Sequence, residues 1–172
     1  MAIVPHPVRM GELGLYPPRH RVARKAVLWW TLREVIGAVV PLAAGLVVFA
    51  FVESSRSWLG PLLIALAIID VVHAAVVPSL RYRVHRWEAT DDAVYALSGW
   101  LVREWRVAPL SRIQTVDATR GPLQRLLGLA TVTVTTASAS GPVELVALPD
   151  AEATEVAARL TAIVGRTAGD AT

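Results

Sequence analysis

Residues 35–52 read VIGAVVPLAAGLVVFAFV and residues 58–77 read WLGPLLIALAIIDVVHAAVV, with only ESSRS between them. The first run holds 18 residues without a charge, about 27 Å of helix at 1.5 Å per residue against a hydrocarbon core of roughly 30 Å. The second holds 20 residues, interrupted only by Asp70 and His73. Each is long enough to span a bilayer. The five polar residues 53–57 allow nothing but a tight hairpin between antiparallel helices. Trp29 and Trp30 precede the first run, where amphipathic rings favour the headgroup level. Pro41 is compatible with a span, because neighbouring helices satisfy the carbonyl it leaves unpaired.

Composition agrees with lipid exposure. Of 172 residues 54% are apolar and 18% charged, and the mean hydropathy of +0.49 is too high for an ordinary soluble domain. The absence of cysteine excludes a disulfide framework, a thiolate metal site and a cysteine nucleophile. Before residue 35 stand six basic residues (Arg9, Arg19, Arg21, Arg24, Lys25, Arg33) against Glu12 and Glu34, whereas residues 78–172 carry ten of each sign. The basic excess therefore sits on a membrane flank, and nucleic acid is not an expected partner. Only Arg56 lies in the hairpin loop, against the flanking basic residues and Arg81, Arg83 and Arg86. That bias places both termini in the cytoplasm of a two-span plasma-membrane protein. A signal peptide fits poorly, since the apolar run starts about 34 residues in. A hairpin buried in a soluble core would need a larger partner layer than the remaining 95 residues supply. The expected organisation is a basic cytoplasmic segment 1–26, a transmembrane hairpin 27–78, a domain 79–166 and a disordered tail 167–172.

After Pro78 the period changes from helical to two. Residues 81–89 alternate Tyr82 and Val84 against Arg81, Arg83 and His85, which predicts a first strand. Strands are expected over 93–97, 100–109, 113–119, 129–138 and 143–148, with turns at Ser98-Gly99, Gly121-Pro122 and Ser140-Gly141. The clearest alternation sets Ala130, Val132 and Val134 on one face and Thr131, Thr133 and Thr135 on the other. Asp150 is placed to cap a helix with Glu152 and Glu155 in its first turn, an apolar stripe at Val156, Leu160, Ile163 and Val164, and Gly165 at its end. Strands plus one amphipathic helix make a small antiparallel β-barrel or sandwich with a C-terminal capping helix, a unit expected to fold without the hairpin.

The strings APLSRIQTVD (108–117), GPLQRLLGL (121–129) and TVTV (131–134) resemble the signature of the bacterial pleckstrin-homology-like family known as bPH2 or DUF304. Its members place an IPLxRIQxV strand before a PLQRLLGLxxVxV turn and strand. Two upstream helices match the short, YdbS-like form, and the chain departs from the family's YxxTxxR at Tyr82-Arg-Val-His-Arg86. The resemblance implies a PH-like fold. Within the string, Arg112 and Gln114 are of a length to hold a strand corner by donating to backbone carbonyls. Leu123, Leu126, Leu127 and Leu129 fit one helical turn that inserts leucines into the barrel, and Gly128 frees the backbone to re-enter a strand.

Three groups of residues carry chemistry. Arg19, Arg21, Arg24 and Lys25, with Arg81 and Arg83, are expected to contact anionic lipid headgroups without specificity, each contributing about 1 kcal/mol near an acidic leaflet. Asp70 and His73 share one face of the second span, where a carboxylate costs about 2.5 to 3.5 kcal/mol on insertion scales. They are expected to hydrogen-bond each other or the first helix, the alternative being a proton or ion relay. Arg103 and Arg106 fall near the inositide-binding position of eukaryotic PH domains, but with Glu104 between them a specific inositide pocket is not expected. There is no G-x-S-x-G, Walker or H-E-x-x-H motif and no paired metal-ligand histidines. No catalytic residue, metal or cofactor is expected. The sequence points to a non-catalytic adaptor at the cytoplasmic membrane face, with a membrane protein as partner, either a larger family member or a second copy. The alternative is an accessory subunit of an envelope transporter or channel that uses Asp70 and His73.

Overall fold

A computed structural model describes residues 18–137 and 141–169. Arg9, Ser138, Ser140 and the tail from 170 onward lie outside the described residues. The hairpin consists of α1 (Lys25–Phe51) and α2 (Arg56–Val84). At 27 and 29 residues they measure about 40 and 43 Å, roughly 10 Å more than the hydrocarbon core needs. Both are long and apolar enough to cross a membrane. Val40, Phe51, Ile64 and Val71 are each more than 60% exposed, so among the described residues no second layer of this chain covers the hairpin.

The turn is built by backbone capping. Ser55 is buried and its hydroxyl donates to the Val52 carbonyl at 2.7 Å. Arg56 donates to the Phe49 and Ala50 carbonyls at 3.1 and 2.9 Å, satisfying acceptors that the end of α1 leaves open. A turn this short leaves one antiparallel register. Thr31 meets Ala74, Glu34 meets His73, Gly45 lies under Leu63 and Gly60 lies against Phe49.

The strand expected over 81–89 begins only at Arg86, residues 81–84 being the last turn of α2, and Pro78 does not stop that helix. A proline inside a helix removes the bond to the carbonyl four residues back, here that of Ala74. The Thr31 hydroxyl of α1 donates to that carbonyl at 3.4 Å, and Pro78 itself is fully buried. A neighbouring helix thus repairs the defect, and α2 runs on until His85 turns extended. Period-two reading failed here because alternating Arg and Tyr also suits the last turns of a helix that leaves the membrane.

Seven strands follow the PH-like plan. One sheet has the order β1 (His20–Arg21), β2 (Arg86–Ala89), β3 (Ala93–Ser98), β4 (Glu104–Pro109). The other has β5 (Ile113–Thr119), β6 (Leu129–Thr136) and β7 (Val143–Pro149), and all pairings are antiparallel. Between β5 and β6 sits α3 (Pro122–Leu127), and α4 (Asp150–Gly169) closes the sandwich. The expected β4 start at Trp100 moves to Glu104, because residues 99–103 form a loop. Ala130, Val132 and Val134 are wholly buried, as their alternation with threonine requires. In α4, Ala153 and Leu160 are buried and Val156, Ile163 and Val164 pack beside them. Gly165 lies inside α4, which continues to Gly169.

The core is not confined to the domain. Val22, Ala26 and Trp30, from the first turns of α1 and the segment before it, are buried among Trp87, Val94, Leu129, Leu145 and Leu148. β1 adds the fourth strand of its sheet from the same segment. The docking point is a bulge in β7, where Ala147 takes φ 56° and its carbonyl accepts the Ala23 N–H at 3.1 Å. Left-handed alanine is costly, and this bond helps to hold it. The surplus length of α1 is therefore a piece of the sandwich. Trp30→Ala should destabilise the domain by about 3 to 5 kcal/mol, read by denaturant unfolding of the full chain in detergent with near-UV circular dichroism. A loss below about 1 kcal/mol, the range of surface substitutions, would place Trp30 outside the core.

Candidate functional site

Where the hairpin enters the sandwich, Trp30 of α1, Arg81 and His85 of α2, Glu104 and Arg106 of β4 and Glu144 of β7 surround a cleft of about 420 Å³. Trp30 forms its inner wall, with its ring centroid 5.0 Å from that of His85 and 6.1 Å from that of Trp29. The His85 Nδ1 lies 2.8 Å from the Arg81 carbonyl. A carbonyl only accepts, so Nδ1 carries the proton and the neutral ring keeps its lone pair on Nε2. Burial lowers the His85 pKa below its usual 6.5, the bond to the Arg81 carbonyl raises it, and the Arg81 charge lowers it further.

Arg81, Glu104 and Arg106 of the cleft are already engaged. Arg81 Nη1 lies 3.7 Å from Glu34 Oε1. Arg106 binds Glu104 through Nε and Nη2 at 2.9 and 2.6 Å, and its Nη1 donates to the Pro142 carbonyl at 2.7 Å. That last bond ties β4 to the start of β7 across the open side of the sandwich. With two arginines and two glutamates lining it, the cleft is balanced in formal charge and presents no anion-selective cluster. Arg103 is exposed and does not line the cleft, whereas Arg106 is held by Glu104 and the Pro142 carbonyl.

The lipid-contact candidates divide. Arg21, Arg24 and Arg83 are exposed. Arg19 is exposed too, with its Nε 3.5 Å from Glu88. Lys25 donates to the Leu127 carbonyl at 3.1 Å and so caps α3. Arg81 is turned inward to Glu34.

Asp70 and His73 are both half-buried, and no bond joins them. His73 Nδ1 faces Glu34 Oε2 at 3.7 Å. Glu34 thus lies between His73 and Arg81, and it was missed as a site residue because the sequence counts it only as one acid among flank arginines. The hairpin register, with its centre at the tight turn, is the signal that would have found it. Asp70 lines a second cavity of about 290 Å³ between the helices, with Glu34, Gly37, Pro41 and Leu66. Among the described residues it has no hydrogen bond or ion pair.

The structural motif is corrected in three places. Arg112 and Gln114 are exposed, and among the described residues their side chains hold no corner. Gln124 does so instead: only 5% exposed, it accepts the Gly121 N–H at 3.0 Å and donates to the Thr131 hydroxyl at 2.8 Å. Leu126 is 82% exposed, because on a six-residue helix the face that buries Leu127 and Gln124 turns it outward. Leu123 is half-buried, Leu127 packs on the core, Leu129 is buried, and Gly128 takes φ 68° to leave α3 for β6.

Comparison with known proteins places the whole unit. The family model for the bacterial PH domain, bPH_2, matches residues 32–163, from within α1 to near the end of α4. The chain belongs to that family. It is 27% identical over 124 residues to the UPF0699 transmembrane protein YdbS of Bacillus subtilis (strain 168), covering 70% of this chain and 78% of that protein. No solved structure matches.

His85 gives the site a pH dependence. Its folded pKa is depressed, so the unfolded chain binds the proton more tightly and the neutral ring contributes stability above about 6.5. That stability is lost as pH falls from there through the folded value. Histidine-labelled NMR of the full chain in micelles should give His85 a midpoint below 6.5, and His85→Asn should flatten the acid side of the thermal-stability profile. A midpoint at or above the ordinary value would overturn the burial argument.

Proposed function

We propose that this bPH_2 membrane protein is a non-catalytic adaptor that spans the plasma membrane twice, keeps both termini cytoplasmic and presents its sandwich to a membrane protein partner. The observation that carries the reading is the burial of Val22, Ala26 and Trp30 in the sandwich core. An enzyme or a tethered sensor needs only a linker, whereas a helix built into the core holds the sandwich at one height and orientation against the bilayer. Among the described residues strand β4 pairs with β3 alone, and a strand edge beside a charge-balanced cleft suits strand addition by a peptide. The partner is another family member or a second copy of this chain. Arg19, Arg21, Arg24 and Arg83 supply non-specific, salt-sensitive attraction to anionic headgroups.

Asp70 favours a second reading, an accessory subunit of an envelope transporter or channel, because a carboxylate without a partner among the described residues lines a cavity between the two helices. The two separate by substitution. A photoreactive residue at Val107, 40% exposed on β4, should capture a protein from native membranes, and Asp70→Asn should leave that capture at the wild-type level. Lipid adducts alone at Val107 would overturn the adaptor reading, and loss of transport with Asp70→Asn would favour its rival.

Orientation has its own test, made simple by the lack of native cysteine. Ser54 and Ser111 are exposed, one in the hairpin turn and one in the sandwich. Ser54→Cys should react with an impermeant thiol reagent on intact cells, and Ser111→Cys only after permeabilisation. The reverse pattern would overturn the cytoplasmic placement of the sandwich.

A further inference from the structure

The loop from β3 to β4 carries three apolar residues in a row, Trp100, Leu101 and Val102, which are 38%, 80% and 76% exposed. Such side chains at the tip of a loop are costly in water unless something covers them. Gly99 shapes the loop: at φ 97° a Cβ would fall 1.8 Å from the Val102 carbonyl oxygen, so only glycine closes it and thrusts Leu101 and Val102 outward.

What covers them is indicated by where the loop lies. The Trp100 ring sits edge-on against His73, centroids 6.3 Å apart at 86°. His73 belongs to α2 four residues inside the end of the apolar run 58–77, about 6 Å along the helix axis. Ile69 and Val76, one turn to either side of His73 on the same face, are 60% and 46% exposed. The loop is therefore continuous with a lipid-facing stripe of α2, at the depth where hydrocarbon gives way to headgroups.

We propose that the β3–β4 loop is a third membrane-embedded element, an interfacial wedge in which Leu101 and Val102 enter the acyl boundary of the bilayer and Trp100 occupies the headgroup level. Tryptophan beside an apolar tip is the composition that this depth favours, and the exposed Arg103 that follows can extend its charge back to the phosphates. The wedge fixes the sandwich at a second point away from the helices, so that β4, which begins directly after it at Glu104, lies close to the membrane plane. The inference rests on the hairpin crossing the bilayer and is independent of which side the sandwich occupies.

The test is a depth measurement on the full chain in vesicles of phosphatidylcholine and phosphatidylglycerol. A nitroxide is placed singly at Leu101→Cys, at Ile64→Cys as a reference in the lipid-exposed span, and at Ser111→Cys as a reference in water. Collision with oxygen, which concentrates in lipid, is compared with collision with a water-soluble nickel chelate. Leu101 is expected to resemble Ile64 in sign, with several-fold greater oxygen than nickel accessibility relative to Ser111. A Leu101 label as open to nickel as Ser111, with Ile64 in lipid, overturns the wedge while leaving the hairpin intact. Nickel access at Ile64 overturns the hairpin and the wedge together. A Leu101 label shielded from both reagents assigns the loop to a protein contact and overturns the wedge.

Discussion

The rest of the molecule depends on the packing of one helix in two environments. The first turns of α1 bury Ala26 and Trp30 against Leu129, Leu145 and Leu148, while its later turns leave valines and Phe51 exposed. Apolar burial drives the first half, and the second presents a surface apolar and long enough to cross a membrane. Because a helix is stiff over about 40 Å, the sandwich and the apolar hairpin cannot reorient independently. The cleft between them, the height of the β3–β4 loop and the position of the β4 edge all follow from that single junction.

The junction also explains where polar groups are tolerated. Thr31, Glu34, His73 and Arg81 lie on the facing sides of the two helices, toward the end that enters the sandwich. Thr31 repairs the backbone at Pro78, and Glu34 stands between an imidazole and a guanidinium. Polar groups in a span are expensive unless they meet one another, and the tight turn, through the register it imposes, makes these residues meet. Asp70 stands outside this set, which is why it alone keeps an argument for transport.

Much of the fold was legible because it is written in local periodicity. The charge-free runs specify the hairpin, β5 begins and ends where its sequence suggests, and Ala130, Val132 and Val134 point inward as a two-residue period demands. Turn chemistry was legible at Gly128, whose left-handed conformation ends α3. Reading failed where a residue's role depends on a distant partner. Gln114 and Gln124 are alike as residues, yet only Gln124 faces Thr131 across the turn. Arg81 appeared to serve lipid and is held by Glu34.

The sequence by itself determined two apolar helices, a polar turn, a strand-rich domain with a closing helix and the family they belong to, because each depends on spacing between neighbours along the chain. Only the tertiary structure decided that α1 and β1 belong to the domain core, that Pro78 is bridged, that Glu34 joins His73 to Arg81, and that Trp100 lies against the second helix. These depend on contacts between residues from 27 positions apart, as with His73 and Trp100, to 124 apart, as with Ala23 and Ala147. Local pattern carries no information about such pairs; packing of the closed core and the register of the hairpin choose them.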